Sequence, residues 1–292
     1  MPSFFILTAI FLFYNDKMTT LYVINSRKEK EPFSLKKVYR SCRRVGASKD
    51  LAKKVSKEIE KRVYSGIKTS EIFKWVSQLL SKDAPRSLIR FSLKEAMRRL
   101  GPSGFDFEKY IAEVFSREGF EVKINQQIPG YCISSYEIDF LAKKKGLTYL
   151  GECKYHYLPG KRVDLKIALS NHARFLDISK NYAFKSKLKS IMVTNTKFSS
   201  EVIKYAKCVG IQLLGWNYPS RKGLENIIEK LKLYPITILP SFKRYFKKIF
   251  AQERMMLALD LLSDSPQNLV KKLRLPQKEI ESLIEEAKVL LE

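Results

Sequence analysis

The sequence predicts a multidomain chain of the α+β and α/β classes. A mostly helical N-terminal domain precedes an α/β domain with a central mixed sheet, and a small helical region follows. Three observations predict this order. Apolar residues recur at helical spacing from residue 34 to residue 100, a Gly-Pro-Ser-Gly break stands at 101–104, and strand-like segments alternate with helix-like ones beyond it. Such alternation indicates that some strands pair in parallel.

The composition points to a polyanionic partner. The 292 residues include 55 lysines and arginines against 30 acids, a formal net charge of +25. A balance of this kind favours nucleic acid through counterion release, with a ribosome-associated or anionic-membrane role as the alternative. The apolar content, 45 %, argues against disorder. The four cysteines form no CxxC pair, which argues against a zinc ribbon and for a reduced, cytoplasmic protein.

The first 19 residues form an apolar extension, beginning MPSFFILTAIFLFYN. The apolar run is too short to span a bilayer, and no basic residue precedes it as in a signal peptide. Because Met18 stands just before the first patterned segment, the preferred interpretation is a misassigned start site. A membrane anchor is the alternative.

The N-terminal domain, residues 20–103, is predicted to hold one short strand and four helices. The strand covers 21–24, and the helices begin behind Ser34, at Ser48, near Thr69 and at Pro85. Each helix has a stripe of apolar residues on one side.

The second domain, residues 105–218, is predicted to alternate between helices and strands. The helices are expected over 107–118, 164–178 and 199–208, and the strands over 120–124, 136–142, 148–153, 191–195 and 211–216. The region 219–292 is predicted to be a linker followed by helices over 245–262, 266–273 and 276–291. Its last helices could contact DNA, form a dimer or cap the sheet.

A charged group lies in the strands of the second domain, within YEIDFLAKKKGLTYLGECKY. Because side chains alternate along a strand, Glu152 and Lys154 share one face, and a hairpin can bring Asp139 beside Glu152. Two carboxylates can hold a hard divalent ion that activates water, and a lysine can orient that water or stabilise phosphate charge. A cross-strand ion pair on a solvated face is the alternative.

These residues, in their context, resemble the PD-(D/E)xK nuclease superfamily and, more narrowly, the Mrr-type restriction endonuclease domains. The resemblance covers about 105–216 through FEKYIAEVFSREGFEV, EIDFLA, GECKY and IMVTN…FSSEVIKYAKCVGIQLL. It implies a restriction-endonuclease-like fold. The residues that it implies as catalytic are Asp139, Glu152, Lys154 and Glu108, with Asp139, Glu152 and the carbonyl of Cys153 as metal ligands. Glu137 is expected to be a neighbouring surface acid, and His172 with Asn171 could contact DNA phosphate.

The N-terminal domain resembles an ATP cone, the nucleotide-sensing module of many ribonucleotide reductases. The shared features are EPF before the first helix, Lys37 on it, TSEI at the third helix and APRSLIRFS. The resemblance implies an adenine-nucleotide pocket, with candidates Val23, Arg27, Lys28 and Lys37. The turn at 25–28 lacks the family's acid and glycine, so a basic helical domain that contacts DNA or a partner is the alternative.

The sequence therefore predicts a DNA endonuclease of restriction or repair type that depends on Mg²⁺ or Mn²⁺. ATP or dATP would regulate it without being hydrolysed, since no GxxxxGK[ST] loop occurs. The expected partners are DNA and adenine nucleotide, a homo-oligomer is left open, and no membrane is expected. The alternatives are a non-catalytic, nucleotide-responsive DNA-binding protein and an RNA-directed or ribosome-associated basic protein.

Overall fold

The computed structural model describes residues 21–25, 28–101, 105–158, 160–181 and 187–292. The predicted N-terminal extension lies outside these residues. Within them the chain forms a mixed α/β protein of several domains with a central mixed sheet.

The N-terminal domain packs four helices against a three-stranded sheet. The strands are β1 (Tyr22–Ile24), β2 (Lys30–Pro32) and β3 (Ile67–Lys68), in the order β2-β1-β3. The helices are α1 (Leu35–Arg44), α2 (Lys49–Arg62), α3 (Thr69–Asp83) and α4 (Pro85–Arg99). The hydroxyls of Ser34 and Ser48 accept hydrogen bonds from the backbone N–H groups of Lys37 and Leu51, so both serines are N-caps and the helices begin where they were predicted to begin. Strands β2 and β3 were not predicted, because segments of two or three residues show no readable alternation of side chains.

Helix α4 belongs to two hydrophobic cores. Its first half places Leu88 and Phe91 against the core of the N-terminal domain. Its second half places Leu93 and Met97 in the core of the following domain. The helix is therefore a packed connection between the domains.

The second domain is built on a five-stranded sheet in the order β10-β8-β6-β5-β4. The strands are β4 (Glu121–Ile128), β5 (Tyr136–Lys144), β6 (Leu147–Lys154), β8 (Lys187–Thr194) and β10 (Gln212–Leu214). β4, β5 and β6 are antiparallel, whereas β8 pairs in parallel with β6 and with β10. The short strands β7 (Arg162–Val163) and β9 (Lys197–Phe198) pair apart from this sheet.

Helices cover both faces of the sheet. Helix α5 (Phe105–Arg117) packs on one face, in the core that includes Phe140 and Val193. Helices α6 (Leu165–Ser179) and α7 (Ser200–Val209) pack on the other face, in cores that include Leu150 and Met192. This arrangement places the ends of β5 and β6 between α5 and α6.

The C-terminal region caps the α5 face of the sheet. Its helices α8 (Leu224–Leu231), α9 (Phe246–Gln252), α10 (Pro266–Leu273) and α11 (Gln277–Leu291) share one core with α5. The last two helices, α10 and α11, join this core by packing on each other, on residues 258–262 and on α4. Helix α8 was missed by the sequence analysis.

The single helix predicted over 245–262 is wrong. Helix α9 ends at Gln252, Arg254 takes a left-handed φ of 56°, and the Met255 N–H donates to Phe250 O at 2.9 Å. This is a common way to end a helix. A separate 3-10 helix follows at Ala258–Leu262. The apolar spacing continues through the turn, which is why the pattern suggested an uninterrupted helix.

Candidate functional site

The β4–β5 ladder is interrupted at Asp139. Ile124 pairs with Phe140 and Gln126 with Ile138, but Asn125, with a φ of 52°, makes no ladder pair with Asp139 between them. Phe140 packs toward α5, whereas Ile138 packs toward α6. Residues two apart on a regular strand point to the same face of the sheet, so the alternation of side chains along β5 is broken at Asp139. Asparagine tolerates the left-handed conformation better than most residues, which allows the interruption.

The carboxylate of Asp139 accepts a hydrogen bond from a backbone N–H of β6 that has no ladder partner on β5. The β5–β6 ladder ends at the pair Phe140 and Gly151. Two residues further, the Cys153 N–H donates to Asp139 Oδ2 at 2.6 Å. This hydrogen bond orients the Asp139 carboxylate at the point where the two strands separate.

Gly151 is required for the close approach of β5 and β6. A Cβ at this position would lie 2.2 Å from the Phe140 ring, which is fully buried. Glycine therefore lets Phe140 pack directly over β6. The glycine in the GECK segment thus has a structural role beside the predicted site.

Three predicted acids lie within electrostatic range of each other. Burial, together with the charges of Glu152 and Glu108, raises the pKa of Asp139 to about 7, against the lowering effect of the Cys153 N–H. Burial also raises the pKa of Glu108, with the charges of Glu137 and Glu152 adding to the effect. The structure thus brings together acids from α5, β5 and β6. Like charges that crowd in this way favour protonation or a bound cation.

Arg174, which was not among the predicted site residues, faces these acids. From α6, its Nη2 donates to Glu152 Oε2 at 2.6 Å and its Nη1 donates to the backbone oxygen of Glu137 at 2.8 Å. Both side chains of the ion pair are mostly buried, 22 % and 19 % exposed. The charge of Arg174 also opposes the rise in the pKa of Asp139.

A signal for Arg174 was present in the sequence. The buried residues Ala168, Asn171 and Ile178 lie on one face of α6. Arg174 is three residues after Asn171 and four before Ile178, so helical periodicity places it on that same inward face. A charge on the inward face of a helix needs a partner, and Glu152 is that partner.

Lys154 lies at the end of β6 with its backbone fixed. The Thr194 hydroxyl donates to Lys154 O at 2.6 Å. Two residues later, the N–H and carbonyl of His156 are both bound by the Asn195 side chain. In the part of the chain that the structure describes, the Lys154 ammonium has no hydrogen bond or ion pair. It is therefore available to a ligand.

His172 and Asn171, which were predicted to contact DNA, bind other residues of the chain instead. Asn171 is buried and donates to Ser190 Oγ at 2.8 Å, which fastens α6 to β8. His172 Nδ1 lies 2.6 Å from the Tyr205 hydroxyl of α7. For Asn171 the prediction is therefore wrong, because a buried amide cannot reach DNA.

The oxygen atoms of the predicted metal ligands are of the type that a hard cation binds, but their arrangement fits a metal site less well. Asp139 and Glu152 offer the carboxylate oxygens that Mg²⁺ and Mn²⁺ prefer. Among the described residues, however, no three His, Cys, Asp or Glu side chains are grouped as a metal site. Glu152 is bound to Arg174, so a metal would have to compete with this guanidinium.

The N-terminal domain contains a cavity of about 180 Å³. Val23 of β1 and Lys37 of α1 line it, together with Ile72 of α3. Lys37 also forms an exposed ion pair with Glu31, with 3.5 Å between Nζ and Oε2. Two of the predicted nucleotide-binding residues thus meet at one cavity.

The other two predicted nucleotide-binding residues belong to the β1–β2 turn. Lys28 takes a left-handed φ of 65° and donates its N–H to Asn25 O at 3.0 Å. This is the conformation that glycine adopts most easily, so a lysine takes it here at some energetic cost. Arg27 lies outside the described residues.

Within the described residues, no helix combines the length and the apolar character needed to cross a membrane.

Two family comparisons match parts of the chain. Residues 21–100 match the ATP cone domain, which confirms the resemblance noted in the sequence. Residues 234–291 match the family described as AF1548-like, C-terminal.

Two relatives are similar to most of the chain. An uncharacterized protein of Archaeoglobus fulgidus is 38 % identical over 181 residues, which are 62 % of this chain and 99 % of that protein. The crystal structure of a protein of unknown function, AF1548, superposes with a TM-score of 0.56 at 35 % identity, covering 65 % of this chain and 98 % of the other. These descriptions name no activity.

Proposed function

The chain belongs to the AF1548-like family, and we propose that it is a metal-dependent DNA endonuclease regulated by an adenine nucleotide. The main support is the group of acids Glu108, Asp139 and Glu152, which come from three different elements. Besides burial, the charge of Glu152 raises the pKa of both Asp139 and Glu108. Its position at the separating ends of β5 and β6 agrees with a restriction-endonuclease-like domain of the Mrr type.

The proposed chemistry is hydrolysis of a phosphodiester. Asp139 and Glu152 would hold Mg²⁺ or Mn²⁺ together with the Cys153 carbonyl, and the metal would supply an activated water. The Cys153 N–H holds the Asp139 carboxylate in place. Lys154, which has no partner in the described part of the chain, would bind the scissile phosphate or orient the water. Glu108, whose pKa is raised by burial, would accept a proton.

Regulation is assigned to the ATP cone. Its apolar cavity offers space for an adenine base, and Lys37 at the wall could contact a phosphate. The sequence contains no phosphate-binding loop for hydrolysis, so ATP or dATP would change the conformation or the oligomeric state. The net charge of +25 supports DNA as the substrate that the acids would cleave.

The direct test is cleavage of supercoiled plasmid DNA with Mg²⁺ or Mn²⁺. Asp139→Ala and Lys154→Ala are expected to lower the rate by about 10²–10³-fold. The matched controls are Glu285→Ala and Lys207→Ala, which change exposed residues of α11 and α7 and should leave the rate unchanged. Unchanged cleavage by both site variants, with circular dichroism spectra like wild type, would contradict the proposal.

The substrate and the regulation need a second assay. Linear, nicked, branched and methylated DNA are compared with and without ATP and dATP. A preference for one substrate identifies the DNA feature that is recognised, and a nucleotide-dependent rate links the cone to cleavage. Equal rates with and without nucleotide would contradict the regulatory part only.

A second candidate is a nucleotide-responsive DNA-binding protein without catalysis. The Arg174–Glu152 ion pair favours it, because this pair neutralises the acid that a metal would need. Salt-dependent DNA binding with no cleavage of any of the four substrates would support this candidate. Stronger binding of RNA than of DNA in a competition assay would instead favour the RNA-directed alternative.

A further inference from the structure

A cleft of about 410 Å³ lies between the N-terminal domain and the sheet domain. Arg44 of α1 and Lys94 of α4 line it on one side. Lys197 of β9 and the indole of Trp216 line it on the other. The volume is in the range of small-molecule sites, whereas the cavity of the cone, about 180 Å³, is smaller than that range.

The cations of this cleft outnumber the acids available to them. Arg44, Lys94 and Lys197 are exposed, and their side chains have no hydrogen bond or ion pair within the described residues. Partial burial lowers the pKa of Lys94, and the charges of Lys197 and Arg44 lower it further. Lys94 therefore lies in positive surroundings that an anion would relieve.

The acids that line the cleft do not remove this excess. Glu95 is paired with Arg98 at 2.7 Å, and Glu225 Oε2 accepts the Asn217 N–H at 2.6 Å. Glu229, the third acid of the lining, is on the same helix as Glu225. The charge of Glu225 affects the pKa of Lys94 less than the charges of the neighbouring cations do. These cations are Lys197, Arg44 and Arg98.

The cleft adjoins the nucleotide cavity of the cone. Ser41, Phe73 and Phe91 line both spaces. One face of α1 runs from the cavity to the cleft. It carries Lys37 at the cavity, Ser41 at the shared wall and Arg44 in the cleft, at intervals of four and three residues.

The cleft also contacts the segment that follows Lys154. Thr196, next to Lys197, lies 3.1 Å from Thr194 between hydroxyl oxygens, and Thr194 in turn donates to Lys154 O. From the cone side, Arg98 Nε donates to Tyr157 O at 3.0 Å. A ligand that moved either wall would therefore act on the backbone around Lys154.

We propose that this cleft is a second anion site, which binds a polyphosphate chain between the two domains. Arg44, Lys94 and Lys197 bind the phosphate oxygens, as cations from both domains converge on one charge. The source is either a nucleoside triphosphate or free inorganic polyphosphate. The bound anion fixes the cone against the sheet domain. Binding here does not require cleavage activity, and only its regulatory consequence rests on the proposed function.

The test is titration calorimetry of the full chain with inorganic triphosphate, in the presence of saturating adenosine to fill the cone cavity. Wild type is expected to bind, and Lys94→Gln and Lys197→Gln are expected to bind about tenfold more weakly. Lys94→Arg should retain most of the affinity. Lys207→Gln, an exposed lysine of α7, is the matched control and should bind like wild type.

The outcomes separate this proposal from the others. No binding to wild type, or equal affinity for all variants, would overturn it. If ATP competes with triphosphate, the source is the nucleotide; if ATP does not compete, the source is free polyphosphate. These variants do not alter Asp139 or Lys154. A failure to cleave plasmid DNA would therefore not overturn the triphosphate site, and a failure to bind triphosphate would not overturn the proposed cleavage.

Discussion

The cone and the sheet domain place charge in different environments at their candidate sites. In the cone, Lys37 and Glu31 are 3.5 Å apart, with 67 % and 36 % of their side chains exposed. In the sheet domain, Arg174 and Glu152 are 2.6 Å apart, with 22 % and 19 % exposed. Exposed pairs contribute about 0–1 kcal/mol, whereas breaking a buried pair leaves an uncompensated charge. Single changes should therefore perturb the sheet-domain site much more than the cone site.

The largest expected effect comes from Gly151→Ala, which should unfold the sheet domain selectively. The added Cβ would meet the buried Phe140 ring at 2.2 Å, so we expect a loss of about 3 kcal/mol or more in the free energy of unfolding. Urea denaturation of single-tryptophan proteins measures each domain separately. Trp216 reports on the sheet domain in Trp75→Phe, and Trp75 reports on the cone in Trp216→Phe.

The control for this substitution is Gly146→Ala. Gly146 has a φ of 75° and open space around it, so only backbone strain of about 1 kcal/mol is expected. An equal loss at both glycines would show that the Phe140 contact does not decide the packing of β5 on β6.

The next effect is that of Arg174→Ala, expected to lower the free energy of unfolding by about 2–3 kcal/mol without metal. The variant leaves Glu152 mostly buried with no cation beside it. Arg174→Lys keeps the charge but loses one of the two contacts, so an intermediate loss is expected. The matched control is Arg62→Ala in the cone, whose exposed pair with Glu58 predicts about 0.5 kcal/mol or less. Similar losses for Arg174→Ala and Arg62→Ala would remove the distinction between the two regions.

The difference in the free energy of unfolding between Asp139→Asn and wild type is expected to change with pH by about 2 kcal/mol. Burial and neighbouring acids raise the pKa of Asp139 from 3.8 to about 7 in the folded state, so the folded state holds this proton more tightly than the unfolded state does. The wild type therefore loses stability from this group as the pH rises from about 4 to 7, and the loss is complete above 7. The asparagine cannot ionise, but its amide oxygen can still accept the Cys153 N–H.

The measurement is denaturant unfolding of both proteins in EDTA at pH 5 and pH 8. The stability of Asp139→Asn relative to wild type should increase between these two values. A constant difference would mean that Asp139 titrates near its ordinary pKa.

The smallest effect is expected in the cone. Lys37→Ala should weaken ATP binding by about five- to tenfold, because one phosphate contact is lost while the apolar cavity remains. Lys36→Ala removes the neighbouring exposed lysine, which does not line the cavity, and should bind ATP like wild type. Calorimetry of the two variants distinguishes a specific contact from a general effect of charge on α1.

Much of the architecture could be predicted from local patterns. The helices that begin behind Ser34 and Ser48 have a capping hydroxyl and an apolar stripe, and both are found. Strands β5, β6 and β8 have long apolar segments and lie within a few residues of the predicted bounds. These signals are readable because they depend on neighbours within one or two turns.

The site itself was only partly predictable. Strand alternation indicated that Glu152 and Lys154 share a face, but an unbroken ladder does not predict the change of face at Asp139. That change depends on the left-handed backbone of Asn125, on the neighbouring strand. Arg174 could have been suspected from its inward position on α6, but its partner Glu152 is 22 residues away.

Local sequence patterns predicted most of the longer helices and strands, the ATP cone and the acids near the ends of β5 and β6. These features follow from propensity, periodicity and residue type, which act over short distances along the chain. Only the tertiary structure decided that Arg174 binds Glu152, that α4 joins two cores and that cations of both domains line one cleft. Such contacts depend on how distant elements pack together, and no local pattern encodes that packing.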